Sequence, residues 1–364
     1  MHIVQILPEL NQGGVERYVI DLNKFLIKSG YKSSIISNGG VYEELITKNG
    51  GNHYRIDTCS KNIFNFYDRA IKLNLLINKI EPQIIHIHSR VPAWIAQLSI
   101  KKNLIPCVST VHGFNSINLY SKIMTKADRI ISVSNPLKKY LISNYATDPN
   151  KIIVIPNGIS SEDFNPYNVN HEWIKKFKSN YKLNNKKIIT KIGRLSPIKG
   201  YEKFIKIMVK VHENDSSFSG IIVGSSSKNN KYEIKIKKLV KNLNAQSYIH
   251  FVGNQTMMAE IYYLSDCIVS TTIKPESFGR SLVESLMMGT PVIAASQGGP
   301  LDIIDDKKNG FLYSPDQLEN IYDLLINKSF LNLKIQRSNI IDNFDNNIVG
   351  SKIIKIYNEI LSNK

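Results

Sequence analysis

The chain alternates short apolar runs with amphipathic helical segments, and this alternation constrains the fold more than any other feature. "HIVQIL" is followed by the loop "PELNQGG", then by apolar residues at three- and four-residue steps from Val15 to Leu26, and then by "KSSIIS". The apolar period therefore changes from that of a strand to that of a helix and back. Strands that alternate with helices in this way form parallel sheets covered on both faces.

The alternation occurs in two blocks. "IIHIHS", "PCVSTVHG", "DRIISVSN" and "KIIVIPNG" continue the first block, and "KIITKIGRL" opens a second one after the aperiodic link "ISSEDFNPYNVN". A chain of 364 residues suits about two domains. We therefore predict an α/β fold with two doubly wound, Rossmann-like domains, residues 1–165 and 166–345, facing each other across a ligand-binding cleft. A last helix in residues 346–364 is predicted to pack back toward the first domain.

Composition narrows the class of protein. Apolar residues make up 42% of the chain, as in globular proteins. Cys59, Cys107 and Cys267 are too far apart for a disulfide framework or a zinc site. The start is predicted to be a strand and not a signal peptide, and no apolar run is long enough to cross a membrane. We therefore expect a cytoplasmic protein.

The net charge of +17 indicates either an anionic partner or a lysine-rich solvated surface. An anionic partner would be a nucleic acid, an anionic membrane surface or a phosphorylated substrate. "YDRAIKLNLLINKIEP" and "NSINLYSKIMTKADR" are basic and partly amphipathic, which suits membrane contact, although a packed helix explains each nearly as well. The sequence leaves these alternatives open.

"PESFGRSLVESLMMGTPVIAAS" places two acids around the start of a short helix. The helix is predicted to begin near Gly279, so the amides of its first turn would form an anion site together with those of Phe278 and Gly279. Glu284 lies in the second turn, and its carboxylate would point back toward that site, where it could bind a ribose diol. Glu276 precedes the turn, where a sugar could lie. The alternative is that Glu276 is a capping acid and Glu284 a surface residue.

Two glycine-containing loops are further phosphate-site candidates. "KIGRLSPIKG" carries Arg194 and Lys199 after a strand, and a guanidinium with an ammonium suits a diphosphate. Gly13 and Gly14 follow the first strand and would let backbone amides approach a phosphate or a sugar. The dinucleotide pattern G-x-G-x-x-G is absent. Surface cations and an ordinary turn are the alternatives.

Three histidines lie at or after predicted strands. His86 and His88 share one face of a strand, and too few further ligands are evident for a metal, so we interpret them as core or cleft-edge residues. His112 lies just past a strand, before Gly113, where a cleft residue is expected.

These motifs, taken in order along nearly the whole chain, resemble the family 4 glycosyltransferases of the GT-B fold. "GGVER" matches the glycine-rich N-terminal loop, "VHG" the N-domain histidine site and "IPNGI" the interdomain segment. "GRLSPIKG" matches the phosphate-binding loop, "ESFGRSLVESLMMGTPVIA" the E-x7-E signature, and Gly298–Gly299 the turn that follows. The family has a glutamate where this chain has Asp302, which puts a contact behind the site in doubt.

The resemblance implies transfer of a sugar from a nucleotide sugar with retention of anomeric configuration, without a cofactor and without an essential metal. It implies the catalytic residues His112, Arg194, Lys199 and Glu276. It implies the nucleotide-sugar-binding residues Gly13, Gly14, Arg194, Lys199, Glu276, Ser277, Phe278, Gly279 and Glu284. Glu284 would hold the ribose, the two cations the diphosphate, and His112 with the Gly13–Gly14 loop would face the sugar from the other domain.

The predicted function is thus a retaining glycosyltransferase of lipopolysaccharide, capsule or other surface polysaccharide synthesis. Its partners would be a UDP-sugar, with a GDP-sugar as second choice, and a glycan or lipid-linked acceptor at the inner face of the cytoplasmic membrane. No nucleic acid is expected as a partner. A nucleotide-sugar epimerase on the same fold and a non-catalytic basic membrane or nucleic-acid binder are the alternatives.

Overall fold

The computed structural model describes residues 1–11, 13–62, 64–100, 105–225 and 230–362. The chain divides into two compact units. Unit 1 comprises Met1–Ser160 and Asn343–Lys364, and unit 2 comprises Ser161–Asp342. The borders of unit 2 thus lie a few residues before 165 and 345, the ends predicted for the two domains.

Unit 1 is a seven-stranded parallel sheet with helices on its faces. Its strands are β1 (His2–Ile6), β2 (Lys32–Ser37), β3 (Asn52–Arg55), β4 (Ile84–Ile87), β5 (Cys107–Val111), β6 (Arg129–Ser132) and β7 (Ile152–Val154). Its first helices are α1 (Gly14–Lys28), α2 (Glu43–Lys48), α3 (Phe66–Ile80), α4 (Arg90–Ser99), α5 (Leu119–Lys122) and α6 (Asn135–Tyr145). The strand order is β3-β2-β1-β4-β5-β6-β7. Every residue of β1 is buried, as expected for an Ile- and Val-rich strand covered on both faces.

Unit 2 repeats this architecture with six parallel strands. These are β8 (Lys187–Ile192), β9 (Phe218–Val223), β10 (Ile249–Gly253), β11 (Cys267–Ser270), β12 (Val292–Ala295) and β13 (Gly310–Tyr313). Its helices are α7 (His171–Asn180), α8 (Tyr201–Asn214), α9 (Lys231–Asn242), α10 (Met258–Leu264), α11 (Arg280–Met287), α12 (Pro300–Ile303) and α13 (Glu319–Ile326). The strand order is β10-β9-β8-β11-β12-β13.

The chain ends with α14 (Arg337–Phe344) and α15 (Asn346–Ser362), and α15 belongs to unit 1. Val349, Ile353 and Tyr357 join the apolar core formed by β1 and α1. A side-chain carbon on Gly350 would overlap the ring of Phe25, so this glycine lets α15 approach α1 closely.

The sequence patterns did not predict several short elements. These are α2, β3, α7, α12, β13, α13 and α14. β3 reads Asn-His-Tyr-Arg and lies at a sheet edge without a buried residue, so it lacks the apolar run that identifies a strand. β13 lies at the edge of the second sheet, and its apolar sequence Gly-Phe-Leu-Tyr was not recognised as a strand.

Candidate functional site

The loops that follow β8 and β11 emerge where the strand order of unit 2 reverses. β8 and β11 are neighbours in the sheet, although three helices and two strands separate them along the chain. In open α/β sheets, ligands bind outside the carboxyl ends of the strands at such a reversal. The "GRLSPIKG" loop and the "PESFG" loop therefore lie at the favoured ligand position of this unit.

Two hydrogen bonds to backbone carbonyls tie these two loops together. The Ile273 amide donates to the Ile198 carbonyl at 2.8 Å, and the Thr271 hydroxyl donates to the Gly200 carbonyl at 2.7 Å. Gly200 has φ +66°, and a side-chain carbon there would overlap the Thr271 carbonyl. Glycine is thus required at this position both by its backbone conformation and by the close approach of the loops.

Lys199 and Glu276 form an ion pair between the two loops. The Lys199 ammonium bonds the Glu276 carboxylate, which also accepts from the Thr272 hydroxyl at 3.0 Å. Burial raises the pKa of Glu276, but the charge and hydrogen bond of Lys199 outweigh it, so the pKa lies below its ordinary value. Glu276 is therefore ionised at neutral pH, and these partners are side chains and not the helix amides expected of a capping acid.

The Gly298–Gly299 turn supports the backbone beside Glu276. The Gly299 amide donates to the Glu276 carbonyl at 2.7 Å. Side-chain carbons on these two glycines would overlap the backbones of Glu276 and Phe278, and Gly298 has φ +69°. The glycine pair therefore fixes the path of residues 276–278 by close backbone approach.

Glu284 is held within the site. Its Oε1 accepts from Arg280 Nε at 2.7 Å, and its Oε2 accepts from the Tyr262 hydroxyl at 2.7 Å. The side chain is only 12% exposed, so the alternative of an ordinary surface residue is wrong. Each carboxylate oxygen keeps capacity for a further hydrogen bond, which a ligand diol could donate.

At the start of α11, backbone amides and not side chains are available to bind a ligand. Gly279 precedes the helix with φ +122°, a conformation that favours glycine. Phe278 is buried, so its ring belongs to the core, and Ser277 is half-buried. The first amides of the helix remain as the anion-binding groups of this segment.

Two further residues considered in the sequence analysis, Arg194 and Asp302, are both exposed. Arg194 follows β8 on the loop that carries Lys199. Asp302 lies in α12, next to the Gly298–Gly299 turn. The structure therefore brings Lys199, Glu276 and the glycine turn into contact and leaves the Arg194 guanidinium at the surface.

Sequence reasoning missed Lys191, a buried lysine of β8. Its side chain is 2% exposed, and its ammonium nitrogen lies 4.9 Å from the ring centroid of Tyr201. The charges of Lys199 and Glu276 both act on it. A signal was present, because a lysine interrupts the apolar strand "KIITKI" three residues before Arg194.

Gly13 and Gly14 lie where unit 1 has its own strand-to-helix turn. Gly13 precedes α1 with an extended backbone, φ −173°, and Gly14 is the first helical residue. A side-chain carbon on Gly13 would overlap the Glu16 carboxylate, whereas one on Gly14 would meet nothing within 4 Å. The Glu16 carboxylate ends a flexible side chain that can move aside, so neither space nor backbone conformation requires glycine at position 13.

The rings of the three histidines lie together in unit 1, and a hydrogen bond joins His88 to His112. His88 Nδ1 lies 3.2 Å from His112 Nε2, and His88 Nε2 lies 3.2 Å from Gln5 Oε1. His86 lies 2.7 Å from both the Tyr357 hydroxyl and the Thr110 hydroxyl. His86 and His88 are thus bonded core residues, while His112 at the end of β5 is half-buried.

Burial keeps all three histidines neutral at pH 7. It lowers the pKa of His86 and of His112 to about 3, and it lowers the pKa of His88 well below its usual range. His112 therefore interacts with a ligand as a neutral imidazole. Across the described ranges, no group of three or more His, Cys, Asp or Glu side chains is arranged to hold a metal ion.

Two Rossmann-like units, with the candidate site at the strand-order reversal of the second, are the architecture of the GT-B class of glycosyltransferases. Residues 173–345 match the family model described as glycosyl transferases group 1, and residues 12–163 match the model described as glycosyltransferase family 4. A solved glycosyltransferase from Rickettsia africae is 32% identical over 100% of this chain and 99% of its own, with a TM-score of 0.88. The chain belongs to glycosyltransferase family 4.

Two further relatives cover nearly the whole chain. The Escherichia coli enzyme named UDP-Gal:alpha-D-GlcNAc-diphosphoundecaprenol alpha-1,3-galactosyltransferase is 26% identical over 99% of this chain and 97% of its own. Anabaena HepE, solved in complex with UDP and glucose, shares the fold with a TM-score of 0.84 and 18% identity, over 99% of this chain and 100% of its own.

Proposed function

We propose that this glycosyltransferase moves a sugar from a UDP-sugar to a glycan or lipid-linked acceptor with retention of configuration. The pathway would be lipopolysaccharide, capsule or other surface polysaccharide synthesis in the cytoplasm. One observation supports binding of a nucleotide-sugar donor here. Lys199 and Glu276 form an ion pair at the strand-order reversal of unit 2, and Glu276 lies just before the start of α11. Glu284 lies one helical turn further on.

Each group suits one part of a nucleotide sugar. The Glu284 carboxylate would accept from the ribose hydroxyls, and the first α11 amides would bind the diphosphate. Glu276 and the backbone of residues 277–279 would contact the transferred sugar and its phosphate. Lys199 and Arg194 would stabilise the charge that builds on the diphosphate as the anomeric bond breaks, without help from a metal. The acceptor hydroxyl could pass its proton to the leaving oxygen on the same face.

The relatives support UDP over GDP. The E. coli relative is named for a UDP-galactose donor and a diphosphoundecaprenol acceptor, and HepE was solved with UDP and glucose. Family membership favours a transferase over an epimerase or a non-catalytic basic binder. His112 and the Gly13–Gly14 loop are assigned to the sugar by the family resemblance, and neutral imidazole suits a hydrogen bond to a sugar hydroxyl.

Calorimetry with UDP, GDP, ADP and their glucose conjugates, with EDTA present, tests the donor assignment. We expect micromolar binding of one nucleotide series, and Glu284→Gln should weaken it by about 10- to 100-fold because a charged acceptor of the ribose is lost. Glu172→Gln, an exposed glutamate of α7, is the matched control and should bind like the wild type. Equal affinities of the two variants would contradict the role of Glu284, and absence of any nucleotide binding would refute the function.

An apolar stripe on α3 supports contact with an anionic membrane. Tyr67, Ile71 and Leu75 follow one face at four-residue steps and are 73%, 59% and 64% exposed. The net charge of +17 adds attraction to anionic lipid. Within the described residues, no helix has both the length and the apolarity needed to cross a bilayer.

The double variant Ile71→Asp, Leu75→Asp should lower co-sedimentation with phosphatidylglycerol-containing vesicles at least several-fold, because apolar insertion is lost. Ile234→Asp with Leu243→Asp places the same charges at exposed apolar positions of unit 2 and should bind like the wild type. If both double variants lose binding equally, net charge and not this stripe is responsible.

A further inference from the structure

Lys191 lies beside the Lys199–Glu276 pair, and the proposed mechanism does not use its charge. It lies near the carboxyl end of β8, and its position in the sheet is opposite Ile222 of β9. Its side chain is 2% exposed, and the ring of Tyr201 covers its ammonium nitrogen at 4.9 Å. A buried amine without a counter-ion of its own is costly when charged, and a ring face compensates only part of that cost.

The ionisable groups around Lys191 contain more amines than carboxylates. The carboxylate that acts on it, Glu276, is already ion-paired with Lys199 and bonded to Thr272. The Tyr201 hydroxyl on α8 donates to the Gly193 carbonyl at 2.5 Å. Two positive groups therefore share one negative group, and a bound anion would balance the excess.

The more distant groups do not supply that balance. Tyr313 of β13 faces Glu276 and donates to the Ser270 carbonyl at 3.1 Å, and its pKa is raised, so it is neutral. Beyond Tyr201, the Glu202 carboxylate is occupied by Tyr232 and Lys235.

We propose that Lys191 is a proton-accepting member of the phosphate site: an amine that is mostly neutral above pH 7 without ligand and that becomes an ammonium when the diphosphate of a nucleotide sugar binds beside Lys199. Binding of the donor would then take up one proton from solvent. This inference rests on the proposed function. It assigns no contact between Lys191 and the ligand, because charge interactions act over several ångströms in a poorly solvated site.

The protonation balance of the empty site agrees with this assignment. Burial and repulsion from Lys199 lower the pKa of Lys191 to about 7, while Glu276 acts in the opposite direction. Bound phosphate charge would raise that pKa again. Since the bound state then holds more protons than the free state, affinity should fall as the pH rises above 7.

Calorimetry of UDP-glucose and GDP-glucose in HEPES, Tricine and Tris at pH 8.0 measures the proton count, because these buffers differ in ionisation enthalpy. The wild type should take up about one proton, and its affinity should fall about tenfold from pH 7.0 to pH 8.5. Lys191→Met should take up no proton, bind more weakly at pH 7.0 and change less than about twofold over the same range.

Two further variants test whether the proton is taken up by Lys191. Lys191→Arg keeps a permanent charge and should bind without proton uptake, and Lys206→Met, an exposed lysine of α8, should behave like the wild type. Nucleotide-sugar binding without proton uptake by the wild type would overturn this inference alone. Binding of neither nucleotide sugar would overturn the proposed function as well, and uptake that persists in Lys191→Met would assign the proton to another group.

Discussion

Replacing Lys199 with methionine should lower the turnover of the bound nucleotide sugar by about 100- to 1,000-fold. Removal of a single group that stabilises developing negative charge typically has an effect of this size. The Lys199 side chain is only 30% exposed, and its ion pair with Glu276 holds it at the site. In the variant, water therefore cannot fully take over the stabilisation of the developing negative charge. The measurement is the release of UDP from a UDP-sugar, which requires no knowledge of the acceptor.

The affinity for UDP should fall less than the turnover does, because the charge that Lys199 stabilises is greatest in the transition state. Lys206→Met removes an exposed lysine a few residues away on α8 and serves as the control. Thermal denaturation of both variants shows whether folding is preserved. A Lys199→Met protein that folds and turns over the donor at the wild-type rate would exclude this role.

His86 and His88 together should make unit 1 about 4 kcal/mol less stable at pH 5 than at pH 8. Both histidines are buried, and burial depresses the pKa of each below its ordinary value of 6.5 in the unfolded chain. Their contribution to stability is therefore complete above pH 6.5 and is lost as the pH falls below it, since the unfolded chain binds protons that the folded one cannot. Each contributes about 2 kcal/mol over this interval, a large part of a typical domain's stability.

The two tryptophans of the chain allow this measurement in each unit separately. Trp94 lies on α4 of unit 1 and Trp173 on α7 of unit 2. Urea unfolding followed by fluorescence of Trp173→Phe reports unit 1, and that of Trp94→Phe reports unit 2 as the control. In the first background, His86→Gln should remove about 2 kcal/mol of the pH dependence, because the amide does not titrate. Unfolding of unit 1 that is equally stable at pH 8 and pH 5 would contradict this account.

The α/β class, the two Rossmann-like domains and the main strands were predictable from the sequence. Parallel strands buried on both faces need continuous apolar runs such as "HIVQIL", and the intervening helices carry a clear helical period. The edge strand β3 lacks a buried residue and an apolar run, so it was missed, and the edge strand β13 was missed as well. The strand order of each sheet could not be predicted from local sequence patterns, because strands that pair, such as β8 and β11, are far apart in the chain.

The sequence by itself determined the family and the residue types of the candidate donor site, because the family's motifs carry cations, acids and glycines at characteristic spacings. Only the tertiary structure decided which of them meet. It paired Lys199 with Glu276, held Glu284 between Arg280 and Tyr262, and placed the Gly298–Gly299 turn against the loop it supports. It also decided that Lys191 is buried beside that site. The charge state of an amine depends on groups brought near it by sheet pairing, and their spacing in the sequence does not record that proximity.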